Sequence, residues 1–248
     1  MIKSNLRKLI QVFNNKLPAK NEPYIGKNYY LERFLSLLVE LDFRPKHIVD
    51  IGANHGDWTR KALTFFPEAN FTLIEPQQEL FKYYKDFEVN KNISIHNIGI
   101  SNVKGSLNFT IHDRDDSSSF TYSKEEAAKL GYKQIIVETN TLENLVLENK
   151  LMQPDMIKID AEGHDIQVLE GCETLFSKTE VILVEASVTN YVYNNKVIDI
   201  INFMDQKGYV LFDITDINRP LKVKVLWLME LAFVRKDGYL IKHSKITI

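Results

Sequence analysis

Four acids stand at the ends of short apolar runs: Asp50 in H-I-V-D-I-G, Glu75 in F-T-L-I-E, Asp160 in M-I-K-I-D and Glu185 in V-I-L-V-E. Runs of this length and composition read as buried strands, so each acid is expected where a strand leaves its sheet. A carboxylate there can accept hydrogen bonds from a pair of sugar hydroxyls, or take a proton as a general base. Asp160, Glu162 and Glu185 are expected on one rim. Three acids together are costly unless each has a cation, a donor or a proton.

The turn after the first run adds a binding function. Gly52 has no Cβ and lets a ligand approach the backbone, and the helix that follows, which Asp57 is expected to cap, offers free N–H groups to a polar or anionic moiety. Glu75, at the end of the next strand, can receive a ribose 2′- and 3′-hydroxyl pair. The glycines Gly52 and Gly56 follow G-x-x-x-G and not the G-x-G-x-x-G of a pyrophosphate site. That combination favours S-adenosylmethionine over a nicotinamide dinucleotide, because the methionine moiety carries a carboxylate and an ammonium and no phosphate. A plain structural turn, with glycines for tight packing, is the alternative.

These residues need strands and helices to hold them. The 248 residues, 44% hydrophobic and 26% charged, suit one well-cored α/β domain. Residues 1–45 read as an N-terminal helical extension and 46–248 as the cofactor-binding domain. In the extension, Leu6, Leu9, Ile10 and Phe13 form an apolar stripe beside Lys3, Arg7, Lys8 and Lys16, and Tyr29 to Leu41 forms a second helix. The basic helix could pack on its own domain, on a second copy in a homodimer, or on an anionic membrane surface as a peripheral contact. Gln77 to Phe87 is expected helical, with Leu80, Phe81, Tyr84 and Phe87 inward. Ile93 to His96 is a third strand, placing Asn97 and Ile98 at its carboxyl end as adenine neighbours.

Leu107 to His112 alternates as a half-buried strand inserted near the active face, and Arg114 to Ser119 is a loop. Ile135 to Val137 is a strand, and Thr141 caps a helix carrying Leu142, Leu145 and Val146. Gly163 turns the chain into a helix with Ile166, Leu169 and Cys172. Val197 to Met204 is a helix, Tyr209 to Phe212 a strand, and Val225 to Val234 a final buried strand with Trp227, Met229 and Phe233 in the core.

A net charge of −2 advertises no nucleic-acid partner. Cys172 is the one cysteine, which excludes an internal disulfide and a cysteine-rich zinc site and agrees with a reducing, cytoplasmic location. No apolar run reaches membrane-spanning length and no signal-peptide core is expected.

Taken together, V-D-I-G-A-N-H-G, L-I-E-P at Leu73 to Pro76, I-G-I-S-N-V-K-G-S at Ile98 to Ser106, I-K-I-D-A-E-G-H-D-I-Q-V-L-E-G at Ile157 to Gly171 and I-L-V-E at Ile182 to Glu185 resemble the FkbM family of methyltransferases. The resemblance covers His47 to Glu185 well and the tail less distinctly. It implies a Rossmann-like class I methyltransferase fold, with a mostly parallel central sheet, an antiparallel C-terminal strand and helices on both faces. It also implies transfer to a hydroxyl of a sugar, glycolipid or glycosylated metabolite, a saccharide-like acceptor. Asp50, Gly52 and Asn54 would surround the cofactor methionine, within the turn closed by Gly56, and Glu75 would hold its ribose. Two positions depart from the pattern: His55 stands where an apolar residue is common, and T-L-E at Thr141 to Glu143 replaces T-L-D.

A hydroxyl acceptor needs a base beside the transferred methyl. Asp160, Glu162, His164 and Glu185 are the candidates. Asp160 is best placed; His164 has the better ordinary pKa but follows Gly163 at a helix start. Asp160 and Glu185 could instead share Mg²⁺ or Mn²⁺ that activates the acceptor oxygen. Asp160 and Glu162 could also serve structure alone, as caps or as partners of Lys158. A nicotinamide-dependent oxidoreductase and an inactive cofactor-binding scaffold are the competing functions.

Overall fold

Strand residues alternate between two apolar layers, and that alternation sets the architecture. The structure, a computed structural model, describes residues 28–112, 117–189, 195–220 and 224–244. The expected basic helix within the first twenty residues, and positions 114–116 of the expected loop, lie outside them. The strands β1 (His47–Ile51), β2 (Asn70–Ile74), β3 (Ile93–His96), β7 (Met156–Ile159), β8 (Val181–Ser187), β9 (Tyr209–Asn218) and β10 (Leu228–Arg235) form one sheet in the order β3-β2-β1-β7-β8-β10-β9. The pairs from β3 to β8 are parallel, and β10 is antiparallel to both its neighbours. An open sheet that runs outward in both directions from its first strand, with one antiparallel strand near the far edge, is the class I methyltransferase arrangement.

Val49, Ile51, Ile157, Ile159, Ile182 and Val184 face one layer. It is closed by α4 (Leu142–Glu148), α5 (Asp165–Glu170) and α6 (Val197–Gln206), through Leu142, Leu145, Val168, Ile200 and Met204. Ile48, Leu73, Met156 and Leu183 face the opposite layer, closed by α1 (Tyr29–Glu40), α2 (Asp57–Phe65) and α7 (Tyr239–His243). Leu31, Phe34, Leu35 and Leu38 of α1 are buried there, so this helix is part of the main core. Each fully buried aliphatic side chain contributes about 1.5–3 kcal/mol.

A second sheet joins β4 (Gly99–Ile100), β6 (Lys133–Asn140) and β5 (Gly105–Ile111) in the order β4-β6-β5. Ser119 extends it by bridging to Thr110. This is the strand expected as an insertion, and it comes with α3 (Lys124–Leu130), a helix the apolar periodicity did not reveal. Ser123 and Glu126 cap α3 reciprocally, and that S-x-x-E spacing was the available signal.

Several local expectations are corrected. Gly56, in the left-handed region at φ 80°, precedes α2 as its cap, and Asp57 lies in the first turn. Gln78–Tyr83 is a 3-10 helix, shorter than the predicted span. β9 runs to Asn218, well beyond Phe212. β10 begins at Leu228, which leaves Trp227 outside the strand, half-buried, with its N–H donating to the Asn218 carbonyl. Glu185 lies inside β8, because the strand continues to Ser187. Among the described residues no helix is long and apolar enough to cross a membrane.

Candidate active site

The carboxyl ends of β1, β2, β7 and β8 meet at one edge, and the turn after β1 is built around a close backbone crossing. Gly52 is left-handed at φ 73°, and a Cβ there would stand 1.9 Å from the Asp160 carbonyl oxygen. Only glycine fits that approach. Gly52 and Ala53 donate their N–H groups to the Ile74 carbonyl at 3.0 and 3.1 Å, which fastens the turn to the end of β2.

Glu75 follows directly after β2. Its carboxylate accepts the Asn54 N–H at 2.9 Å and the Gln77 N–H at 2.8 Å, one on each oxygen. The Gln77 side chain donates to the carboxylate as well, which still leaves it acceptor capacity for a further donor. Burial pushes the Glu75 carboxyl up to about 7, against the opposing pull of those two N–H groups. Asn54 is itself left-handed at φ 45°, its side chain accepts the His55 N–H at 2.7 Å, and its carbonyl accepts the Tyr84 hydroxyl at 2.5 Å. His55, the family departure, packs against Tyr83 with ring centres 4.1 Å apart and the planes tilted by 45°. Asn97 donates its amide to the carbonyls of Glu75 and Pro76, each at 3.0 Å, and so sits beside Glu75. Ile98 is half-buried against the first core layer.

Asp50 is fully buried. It accepts the Thr59 hydroxyl at 2.6 Å and lies 3.5 Å from Lys158 Nζ. Lys158 is almost inaccessible, and its ammonium also reaches Asp160 Oδ2 at 3.2 Å and the Gly52 carbonyl at 3.3 Å. Burial alone would lower the Lys158 pKa, but the charges of Asp160, Asp50 and Glu230 outweigh it and raise the value. Lys158 therefore stays charged and ties the β1 turn to the β7 acid. A lysine in M-I-K-I-D reads in sequence as a pairing partner for the loop acids. The parallel register Asp50↔Lys158 places it beneath both sides of the site.

Asp165 holds the loop that follows. Its two oxygens accept the N–H groups of Ala161 and Gly163 at 2.9 and 3.1 Å and the Asn195 amide at 2.7 Å. Asn195 also donates to the Glu185 carbonyl, so the loop is pinned to β8. Glu162 between these anchors is left-handed at φ 49°, an unusual backbone for a side-chain-bearing residue at the rim. Asp165 was not singled out by the sequence; an acid two residues after Gly163 at a helix start was the signal.

His164 faces the second sheet, where Nε2 lies 3.0 Å from Ser101 Oγ and the ring packs 5.2 Å from Phe120. Burial lowers its pKa to about 4. With a conjugate acid that acidic, the ring is a weaker base than a free imidazole. Burial and the charges of Asp160, Glu162 and Asp165 raise the Glu185 pKa well above the usual carboxylate range. Glu230 on β10, which the apolar run L-W-L-M-E-L concealed, is raised by burial to about 7. Among the described residues no group of three or more His, Cys, Asp or Glu is arranged to hold a metal ion.

The model of the methyltransferase FkbM domain matches residues 50–211, from the acid of β1 into β9. Among solved structures, the precorrin-6y C5,15-methyltransferase of Geobacter metallireducens GS-15 is 12% identical with a TM-score of 0.46, covering 86% of this chain and 92% of that one. The 1,6-didemethyltoxoflavin-N1-methyltransferase of Burkholderia thailandensis, with bound 1,6-didemethyltoxoflavin and S-adenosylhomocysteine, is 8% identical with a TM-score of 0.48, covering 95% and 86%. No curated protein matches the chain.

Proposed function

The chain belongs to the FkbM methyltransferase family and is an S-adenosylmethionine-dependent methyltransferase, and from that premise we propose that its acceptor is a hydroxyl of a sugar, glycolipid or glycosylated metabolite. Family membership sets aside the nicotinamide oxidoreductase. Gly52, Asn54 and Glu75 fit the cofactor: the turn leaves no side chain at Gly52, and the Glu75 oxygens retain acceptor capacity for a ribose diol. When bound there, the cofactor supplies a methyl group already activated on a sulfonium.

The observation that carries the hydroxyl reading is Asp160. Its backbone carbonyl lies against the Gly52 turn, Lys158 holds Oδ2, and Oδ1 has no hydrogen-bond partner. That oxygen is the one we assign to the acceptor proton. His164, engaged with Ser101, orients the wall of the acceptor cleft in this scheme, and Glu162 binds a neighbouring hydroxyl. Mg²⁺ or Mn²⁺ shared by Asp160 and Glu185 would activate the same oxygen by a different route. Unchanged turnover in verified metal-free protein would eliminate that route.

Calorimetric titration with S-adenosylhomocysteine tests the cofactor half. One-site binding is expected in the wild type, weakened about ten- to hundred-fold in Glu75→Ala, the equivalent of losing hydrogen bonds to a charged group. No binding to well-folded wild type would overturn the reading. With a glycoside acceptor in hand, Asp160→Asn should lower kcat by about 10²–10⁴-fold, the range of a general base.

A further inference from the structure

Beyond Asp160, three carboxylates cross the sheet in register. Glu185 of β8 lies directly opposite Glu230 of β10, and Glu230 lies opposite Asp216 of β9. Directly opposed residues send their side chains to one face about 4.5–5.5 Å apart, where like charges destabilise the pairing. Together with Asp160 they line a cavity of about 50 Å³, room for a group the size of one or a few waters. Thr215 donates its hydroxyl to Glu230 at 2.6 Å. Glu185 Oε2 is shielded from solvent and has no hydrogen-bond partner. Lys158 pairs directly with Asp50 and with Asp160 of the cavity wall, and its charge also acts on Glu230 and Glu185, so one buried cation is shared among more acids than it can balance.

We infer that the cavity bounded by Glu185, Glu230 and Asp216 is a subsite for a primary ammonium group on the methyl acceptor, which is thereby an amine-bearing hydroxyl compound such as an amino sugar. The word acceptor rests on the methyltransferase reading; the ammonium site itself does not. A primary ammonium brings three donors and one positive charge in a volume close to that of water, which matches both the cavity and the unpartnered oxygen. A guanidinium fork is larger, and among the described residues the acids are not grouped to hold a metal ion. Glu230 and Asp216 lie three and four strands from β1, about 14 Å or more at the usual strand spacing, beyond the reach of a cofactor ammonium held at the Gly52 turn. Asp160 is two strands from Glu230, so amine and methylated hydroxyl lie within about 10 Å of each other on the acceptor.

Thermal unfolding at pH 8 in methylammonium chloride, set against equimolar potassium chloride, tetramethylammonium chloride and magnesium chloride, tests the subsite. At concentrations about ten times the dissociation constant, methylammonium should raise Tm by roughly 3–6 °C over potassium and tetramethylammonium. The excess should vanish in Glu230→Gln, and in Asp216→Asn should the first variant fail to fold. Equal shifts in all the monovalent salts overturn the proposal, as does a methylammonium excess that survives in the variants. A shift specific to magnesium and lost in the variants would assign the acids to a metal and overturn it as well. A parallel melt with S-adenosylhomocysteine in potassium chloride separates the two claims: no shift there removes the methyltransferase reading, while the ammonium result stands or falls alone.

Discussion

Glu75 and Glu185 occupy the same edge of one sheet, and their surroundings are opposite. Glu75 receives a backbone N–H on each oxygen, and its neighbour Asp50 receives the Thr59 hydroxyl on Oδ2 while Oδ1, with no hydrogen bond, lies 3.5 Å from the Lys158 ammonium. Glu185 Oε2 and Asp160 Oδ1 receive nothing from the protein, and Glu185 faces Glu230 across the strand pair. In one half each carboxylate already holds a donor, and the Lys158 ammonium stands against the remaining Asp50 oxygen before any ligand arrives. The other carries acid in excess of its donors. A half that is complete in itself suits a partner that never changes, while an incomplete one is selective for whatever brings the missing donors. Lys158 is the joint between them.

Removing the joint should have the largest effect. Lys158→Met leaves Asp50 and Asp160 buried without their cation and should cost about 3–5 kcal/mol, read from urea unfolding. A loss below about 1 kcal/mol would mean that the two halves are not joined through this ammonium. A smaller, pH-dependent effect separates the halves. The folded Glu230 carboxyl titrates near about 7 against an ordinary value of 4.5. Its folded pKa is raised, so its contribution to stability is full below the ordinary value, where both states are protonated, and is lost as pH rises through about 7. Glu230→Gln should therefore gain about 1–3 kcal/mol on the wild type between pH 5 and pH 8. Parallel stability curves would show that this half bears no burial cost. The smallest effect belongs to the completed half: Thr59→Val should lose about 1–2 kcal/mol, the same at pH 6 and pH 8, by removing one hydrogen bond to Asp50. A pH-dependent loss there would erase the contrast.

The strand cores and the acids that end them were legible because a parallel strand buried on both faces is written as a continuous apolar run. Gly52, Glu75 and Asp160 stand where that reading puts them, while Asp50 lies one residue inside the end of β1, fully buried. What it could not supply is register across the sheet. Lys158 reads as a local partner of the loop acids until β1 and β7 are aligned, and Glu230 is one acid in an apolar run until β10 is laid against β8. Glu185 was placed at a strand end because V-I-L-V-E stops being apolar there, yet Ala186 and Ser187 continue the ladder. Trp227 was assigned to the core by its type, but the strand begins one residue later. The second sheet was half legible: alternation revealed β5, while the short helix α3 is marked only by its capping residues, since its single buried apolar position, Ala127, gives no period.

The contact between the Gly52 turn and the Asp160 peptide also draws a map for laboratory evolution. The two loops meet through main-chain atoms, which no change of rotamer can relieve. Libraries that lengthen or shorten the Asp160 to Asp165 loop should yield mostly proteins that no longer take up cofactor. Diversity is better directed to Glu185, Asp216, Met229 and Glu230, whose side chains form the cavity wall from strands that the crossing does not touch.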